Sequence, residues 1–168
     1  MKNLSYIFLL SFTCSLSAME QFSILAQPPV NLDLVMATSP EKILSGFNCI
    51  QKNEIKAAKK AFFPLCSSPD INTRIYAYAG LAHIEEKLND FGHAAEGYFW
   101  AIQQCPTLYS RQKEALSLYL ATLIAEKKPR ILPIEILNYM RQETINALLD
   151  GNTSYEKCNT VLTTFYGI

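Results

Sequence analysis

The sequence predicts an all-α fold: stacked antiparallel helical hairpins, closed by capping helices at the C-terminal end. Three observations carry this prediction. From residue 39 onward apolar side chains recur at steps of three and four, runs of alternating apolar and polar residues are few, and only six glycines occur in 168 residues. Strands need the alternation that is missing here.

The first element is a targeting segment. Residues 1–18, MKNLSYIFLLSFTCSLSA, open with one lysine, pass through the apolar run at residues 7–10 and finish on small residues, the plan of a secretory signal peptide. The run is too short to span a bilayer as a helix. Export is therefore expected, to the periplasm or the medium if the host is bacterial, with no transmembrane span in the mature chain. Cleavage after Ala18 removes Lys2 and leaves 150 residues, with 14 basic side chains against 15 acidic ones. That length suits one domain. The near-zero charge argues against nucleic acid and anionic membrane as main partners, because phosphate binding needs a clustered positive field. Four cysteines remain, Cys49, Cys66, Cys105 and Cys158. An exported protein permits disulfides among them in three pairings, but three of the four fall on apolar stripes, so buried free thiols are the competing expectation.

Residues 19–38 hold no sustained period, and Pro28 with Pro29 break any helix across them, so they are expected to form an extended linker or arm before a helical domain at 39–168. Two helix starts are signposted. Ser39, Pro40 and Glu41, and Ser68, Pro69 and Asp70, each offer a cap, a proline for the first turn and a carboxylate at the positive helix end. The first helix is expected to reach about Lys52, with Ile43, Phe47 and Ile50 on one side. A turn at Asn53 leads to a second helix striped by Ile55, Ala58, Phe62 and Leu65. The third carries Ile71, Ile75, Tyr78 and Ala82 and ends near Lys87. Asn89 and Asp90 turn the chain into a fourth, with Phe91, Ala94, Tyr98, Ala101 and Cys105.

These two helix pairs are related by a shift of 36 residues. Asn53 maps to Asn89, Glu54 to Asp90, Ile55 to Phe91, Ala58 to Ala94, Phe62 to Tyr98 and Phe63 to Phe99. The matches fall on the turn and the buried stripe, where a repeat of helical hairpins needs them. From Tyr78 to Pro106 the pattern resembles a tetratricopeptide repeat: Tyr78, Leu81 and Ala82 on the first helix, Asn89, Asp90 and Phe91 at the turn, Ala94, Tyr98 and Ala101 on the second, and Pro106 after it. Glu85 departs from the pattern where tyrosine is favoured, and Lys42 and Cys49 replace aromatic positions in the first unit. The resemblance covers residues 39–106, about two repeats.

Beyond them, residues 111–126 are apolar nearly all round, as a helix covered on more than one side would be. Pro129 breaks the following loop, and Pro133 opens a helix that runs to about Asp150 and closes at Gly151. The last helix, from about Ser154, presents Tyr155, Cys158, Val161, Leu162 and Phe165 on one face and caps the stack.

Little in the sequence points to catalysis. His83 and Glu86 stand one helical turn apart, and with His93 they are the best start for a metal or ligand site, but a second pair with ligand spacing is missing. No glycine-rich phosphate loop or nucleophile motif occurs. No catalytic residue, metal site or cofactor is predicted. The resemblance instead implies binding of a protein or peptide partner in a groove lined by the first helices, here by Ile43, Phe47, Tyr76, Ala79, His83 and Glu86. A basic clamp for a C-terminal carboxylate is absent from those places, so an apolar or mixed peptide is the expected occupant. Outside the inward stripe, Phe99 and Trp100 stand where charged side chains are usual, and Phe63 repeats this 36 residues earlier. These three mark an outer face that expects cover, from the arm, from the C-terminal helices, from a second copy or from a foreign protein. The sequence thus reads as an exported interaction module or scaffold. The competing readings are a small metal or ligand carrier or enzyme using His83 and Glu86, and a structural subunit of an envelope assembly.

Overall fold

The computed structural model describes residues 40–106 and 109–168; the predicted signal peptide, the arm and the Ser39 cap lie outside these residues. Among the described residues there are seven α-helices and no strand. They are α1 (Pro40–Gln51), α2 (Ile55–Phe62), α3 (Ile71–Lys87), α4 (Phe91–Gln104), α5 (Ser110–Lys127), α6 (Ile134–Leu149) and α7 (Glu156–Val161). A 3-10 segment, Phe63–Ser67, extends α2, and a π turn, Leu162–Tyr166, extends α7. Helices adjacent in sequence pack on one another from α1 to α5, and α7 packs back on α5.

The 36-residue relation extends to the backbone. Asn53 and Asn89 both adopt left-handed φ, at 60° and 58°. Each closes its helix with the same pair of bonds: Asn53 N–H to Ile50 O and Glu54 N–H to Cys49 O, then Asn89 N–H to Glu86 O and Asp90 N–H to Glu85 O. Asparagine tolerates this conformation better than most residues, which is why the turn is legible in sequence. Gly151, at φ 79°, closes α6 in the same way, through Gly151 N–H to Leu148 O and Asn152 N–H to Ala147 O.

Packing inside the first hairpin rests on one ring. Phe62 is fully buried between α1 and α3, so close that a methyl group added at Gly46 or at Gly80 would lie 2.6 Å from its Cζ. Phe47 meets it edge to face at 4.9 Å. The small residues are therefore what let α1 and α3 seat an aromatic between them. Gly97 serves α4 likewise, with its Cβ position 2.8 Å from that of Ala82.

Three sequence expectations are corrected in detail. Asp70, not Ser68, caps α3: its carboxylate accepts from the Thr73 N–H at 2.8 Å and the Thr73 hydroxyl at 2.6 Å, while Ser68 Oγ accepts from the Asp70 N–H. Pro133 precedes α6 instead of lying in its first turn. Phe165 is half exposed, stacked edge-on against Tyr166, where the helix widens into a π turn at Leu162 and each following side chain turns through a smaller angle about the axis. The rest of that last face, Tyr155, Cys158, Val161 and Leu162, is buried as expected, and Tyr166 donates to Pro129 O at 2.5 Å. As predicted, α5 is covered on several sides, with Leu116, Leu120, Ala121, Leu123 and Ile124 all buried.

Cys49, Cys66, Cys105 and Cys158 are all free thiols. Burial pushes the Cys105 and Cys158 thiols up to about 11. The thiolate is the reactive form, so Cys158, buried in α7, is expected to be alkylated last of the four in the folded chain. Time-quenched alkylation read by mass spectrometry checks this, and modification of Cys158 ahead of Cys49 would contradict it. Among the described residues no helix is long and apolar enough to cross a membrane.

Candidate functional site

The six residues assigned to a groove do not form an open one. Ile43 and Phe47 are core residues, each 5% exposed and packed in the cluster around Phe62, so they present no surface to a partner. The reason is the close seat just described, which turns the Ile43, Phe47 and Ile50 stripe of α1 onto α2 and α3. Tyr76 and Ala79 are partly buried. The side chains of His83 and Glu86 are each only 16% exposed.

Glu86 is instead the centre of a polar network at the junction of α3, α4 and α5. Its Oε2 accepts from the Tyr98 hydroxyl at 2.6 Å, and the Tyr119 hydroxyl lies 2.8 Å from both carboxylate oxygens. The Tyr98 and Tyr119 rings meet edge to face at 4.8 Å. His83 Nδ1 stands 3.6 Å from Oε2, an electrostatic contact longer than a hydrogen bond. Burial alone would raise the pKa of Glu86, but His83 and the two phenols outweigh it and hold the carboxyl below its usual value. Burial, with the nearby carboxylate, pushes both phenols up, so they remain protonated donors. Applying the shift of 36 explains the network's origin: Phe47, Ile50 and Phe62 of the first unit become His83, Glu86 and Tyr98 in the second. A polar triad replaces an apolar one at the same structural place. Its chemistry is a charge neutralised by donors on neighbouring helices, which orders α5 against the first four helices. Among the described residues, no group of three or more His, Cys, Asp or Glu side chains is placed to hold a metal ion.

His93, the third residue of that sequence cluster, lies apart from it at the exposed start of α4. There its Nδ1 pairs with Asp90 Oδ2 at 2.7 Å, while the Asp90 carboxylate caps the helix through the His93 N–H. The hydrogen bond to Asp90 raises the imidazole above its ordinary value.

The outer face is where the exposed aromatics are. Phe63 is 75% exposed and Trp100 50%. Phe99 is partly covered: its ring lies 5.5 Å from that of Tyr139 on α6, which shares a 2.6 Å hydrogen bond with the buried Ser117 hydroxyl of α5. Of the covers foreseen, a C-terminal helix thus supplies one, and it stops short of Trp100. Sequence reasoning missed a second group of exposed apolar residues, Ile131, Ile134 and Leu149, around α6. The available signal was that α6 carries more apolar residues than one stripe uses. It also missed Tyr119, which was read only as part of an apolar helix. Comparison with protein-family models, with curated proteins and with solved structures finds no match to this chain.

Proposed function

We propose that this protein is an exported interaction module built on tetratricopeptide-like hairpins, which holds a protein or peptide partner on its outer face and performs no chemistry of its own. One observation carries the reading: each hairpin leaves one large aromatic side chain exposed near the end of its second helix, Phe63 after α2 and, one place beyond its partly covered counterpart Phe99, Trp100 on α4. The repeat is supported by the matching turns at Asn53 and Asn89 and by the matching seats of Phe62 and Tyr98. Export rests on the plan of residues 1–18. Covering the open surface of Phe63 and Trp100 contributes about 2 to 4 kcal/mol, enough to anchor a partner whose remaining contacts are polar. The face thus takes over the role that the resemblance gives to the groove, whose first-unit residues are committed to the core.

A photo-reactive side chain placed at position 63, 100 or 157 in separate variants tests this in the native host. Cross-links from 63 and 100 to one and the same protein, with none from exposed Lys157 on α7, are the expected result. Cross-links only to a second copy of the chain would favour a structural subunit, and equal labelling from 157 would remove the case for this face.

A further inference from the structure

Resting on that reading, we infer that the segment received by the outer face is acidic as well as apolar. Residues 55–67, IKAAKKAFFPLCS, contain three lysines and no acidic residue, in a chain whose 15 basic and 15 acidic side chains balance as a whole. Only one of the three is used internally: Lys59 reaches across to Glu85 Oε1 on α3 at 2.6 Å. Lys56 and Lys60 are exposed, and neither forms an ion pair among the described residues. They stand four residues apart on α2, on the side away from buried Ala58 and Phe62, and Phe63 follows Lys60 by three. Lys56, Lys60 and Phe63 therefore form one stripe, two cations and then a ring that is 75% exposed.

A solvated lysine on a helix of a neutral protein is commonly matched by a carboxylate one turn away, which this helix lacks entirely. Charge complementarity then selects the occupant: carboxylates spaced about one helical turn apart for Lys56 and Lys60, beside a bulky apolar side chain for Phe63. The same stripe is a poor membrane anchor. Two lysines attract an anionic surface by about 1 kcal/mol each, and a single phenyl ring adds one shallow insertion, short of the two strong signals that stable attachment takes.

Selection of a random-peptide display library on the full-length chain tests the inference, with vesicles rich in phosphatidylglycerol as a parallel arm. The expected result is that selected peptides carry paired Asp or Glu beside Leu, Phe or Trp and change the emission of the single tryptophan, Trp100. Their affinity should drop about tenfold in the surface variant Lys56→Glu/Lys60→Glu, and it should weaken as salt rises and screens the contact. Selection of neutral or basic peptides, selection of none, equal binding by the charge-reversed variant, or a response to vesicles alone would each overturn it. Cross-links from positions 63 and 100 to a partner segment without acidic residues would leave the interaction face standing and remove only its acidic specificity.

Discussion

Replacing Phe62 with alanine is expected to cost about 3 to 5 kcal/mol of stability, the largest loss from any single substitution in the first hairpin. The ring has no exposed surface, meets Phe47 at 4.9 Å and fills the space between Gly46 and Gly80. Those glycines make the site unable to heal. A shorter side chain leaves a cavity flanked by two residues that have no side chain to move into it, so the lost contacts are not recovered. Urea denaturation followed by circular dichroism gives the number, and its neighbour supplies the control. Phe63→Ala deletes the same ring from a position that is 75% exposed, and should shift stability by no more than about 0.5 kcal/mol. Comparable losses for the two variants would mean that Phe62 is not seated as described. From the other side, Gly80→Ala should also destabilise, by about 1 to 3 kcal/mol, because its methyl would meet the Phe62 ring at 2.6 Å.

The second large effect is expected at Glu86. Glu86→Ala takes away the acceptor of two phenolic hydroxyls, one of them on the wholly buried Tyr98, and should cost about 2 to 4 kcal/mol. Most of that loss should return if the donors are removed too. The triple variant Glu86→Ile/Tyr98→Phe/Tyr119→Phe copies the Ile50 and Phe62 pairing of the first unit and leaves no hydroxyl stranded. Failure of the triple variant to recover stability over Glu86→Ala would show that shape, not unsatisfied polar groups, sets the cost.

The same network predicts a pH dependence of defined sign. In the unfolded chain Glu86 titrates near its ordinary value of about 4.3, and in the folded chain it titrates lower. A group whose folded value is depressed gives stability that is present above the unfolded value and is lost as pH falls through the folded one. The native chain should therefore lose more stability between neutral pH and about pH 3 than the triple variant, which has no carboxylate to protonate there. An equal loss in both would place the acid sensitivity elsewhere.

How much of this could be read from sequence varies by residue. Asn53 and Asn89 were legible because a left-handed turn is a local demand on two or three residues, and asparagine meets it wherever it occurs. The stripes of Ala58 and Phe62 on α2 and of Tyr98 and Ala101 on α4 were legible because helical period puts each pair on one side of its helix before any neighbour is considered. Glu86 was noticed, but with only one of its partners: His83 does stand 3.6 Å from it, whereas the hydrogen bonds that hold the carboxylate come from Tyr98 and from Tyr119, 33 residues away. His93 turned to Asp90 instead, at the start of its own helix. Ile43 and Phe47 were assigned to a groove because the period places them on a face without stating what that face meets.

The sequence by itself determined the helical class, the order of the helices, two of their turns and the aromatic residues that stand outside the stripe. These depend on backbone chirality, capping and a 3.6-residue period, interactions that close within a turn or two of the chain. Only the tertiary structure decided that Phe99 lies against Tyr139 while Trp100 remains half open, that Phe47 is core, and that a π turn carries Phe165 out of the face it was predicted to share. Each of these depends on where a distant helix comes to rest. That position is set by the fit of many side chains at once, small ones such as Gly46, Gly80 and Gly97 above all, and no local pattern contains it.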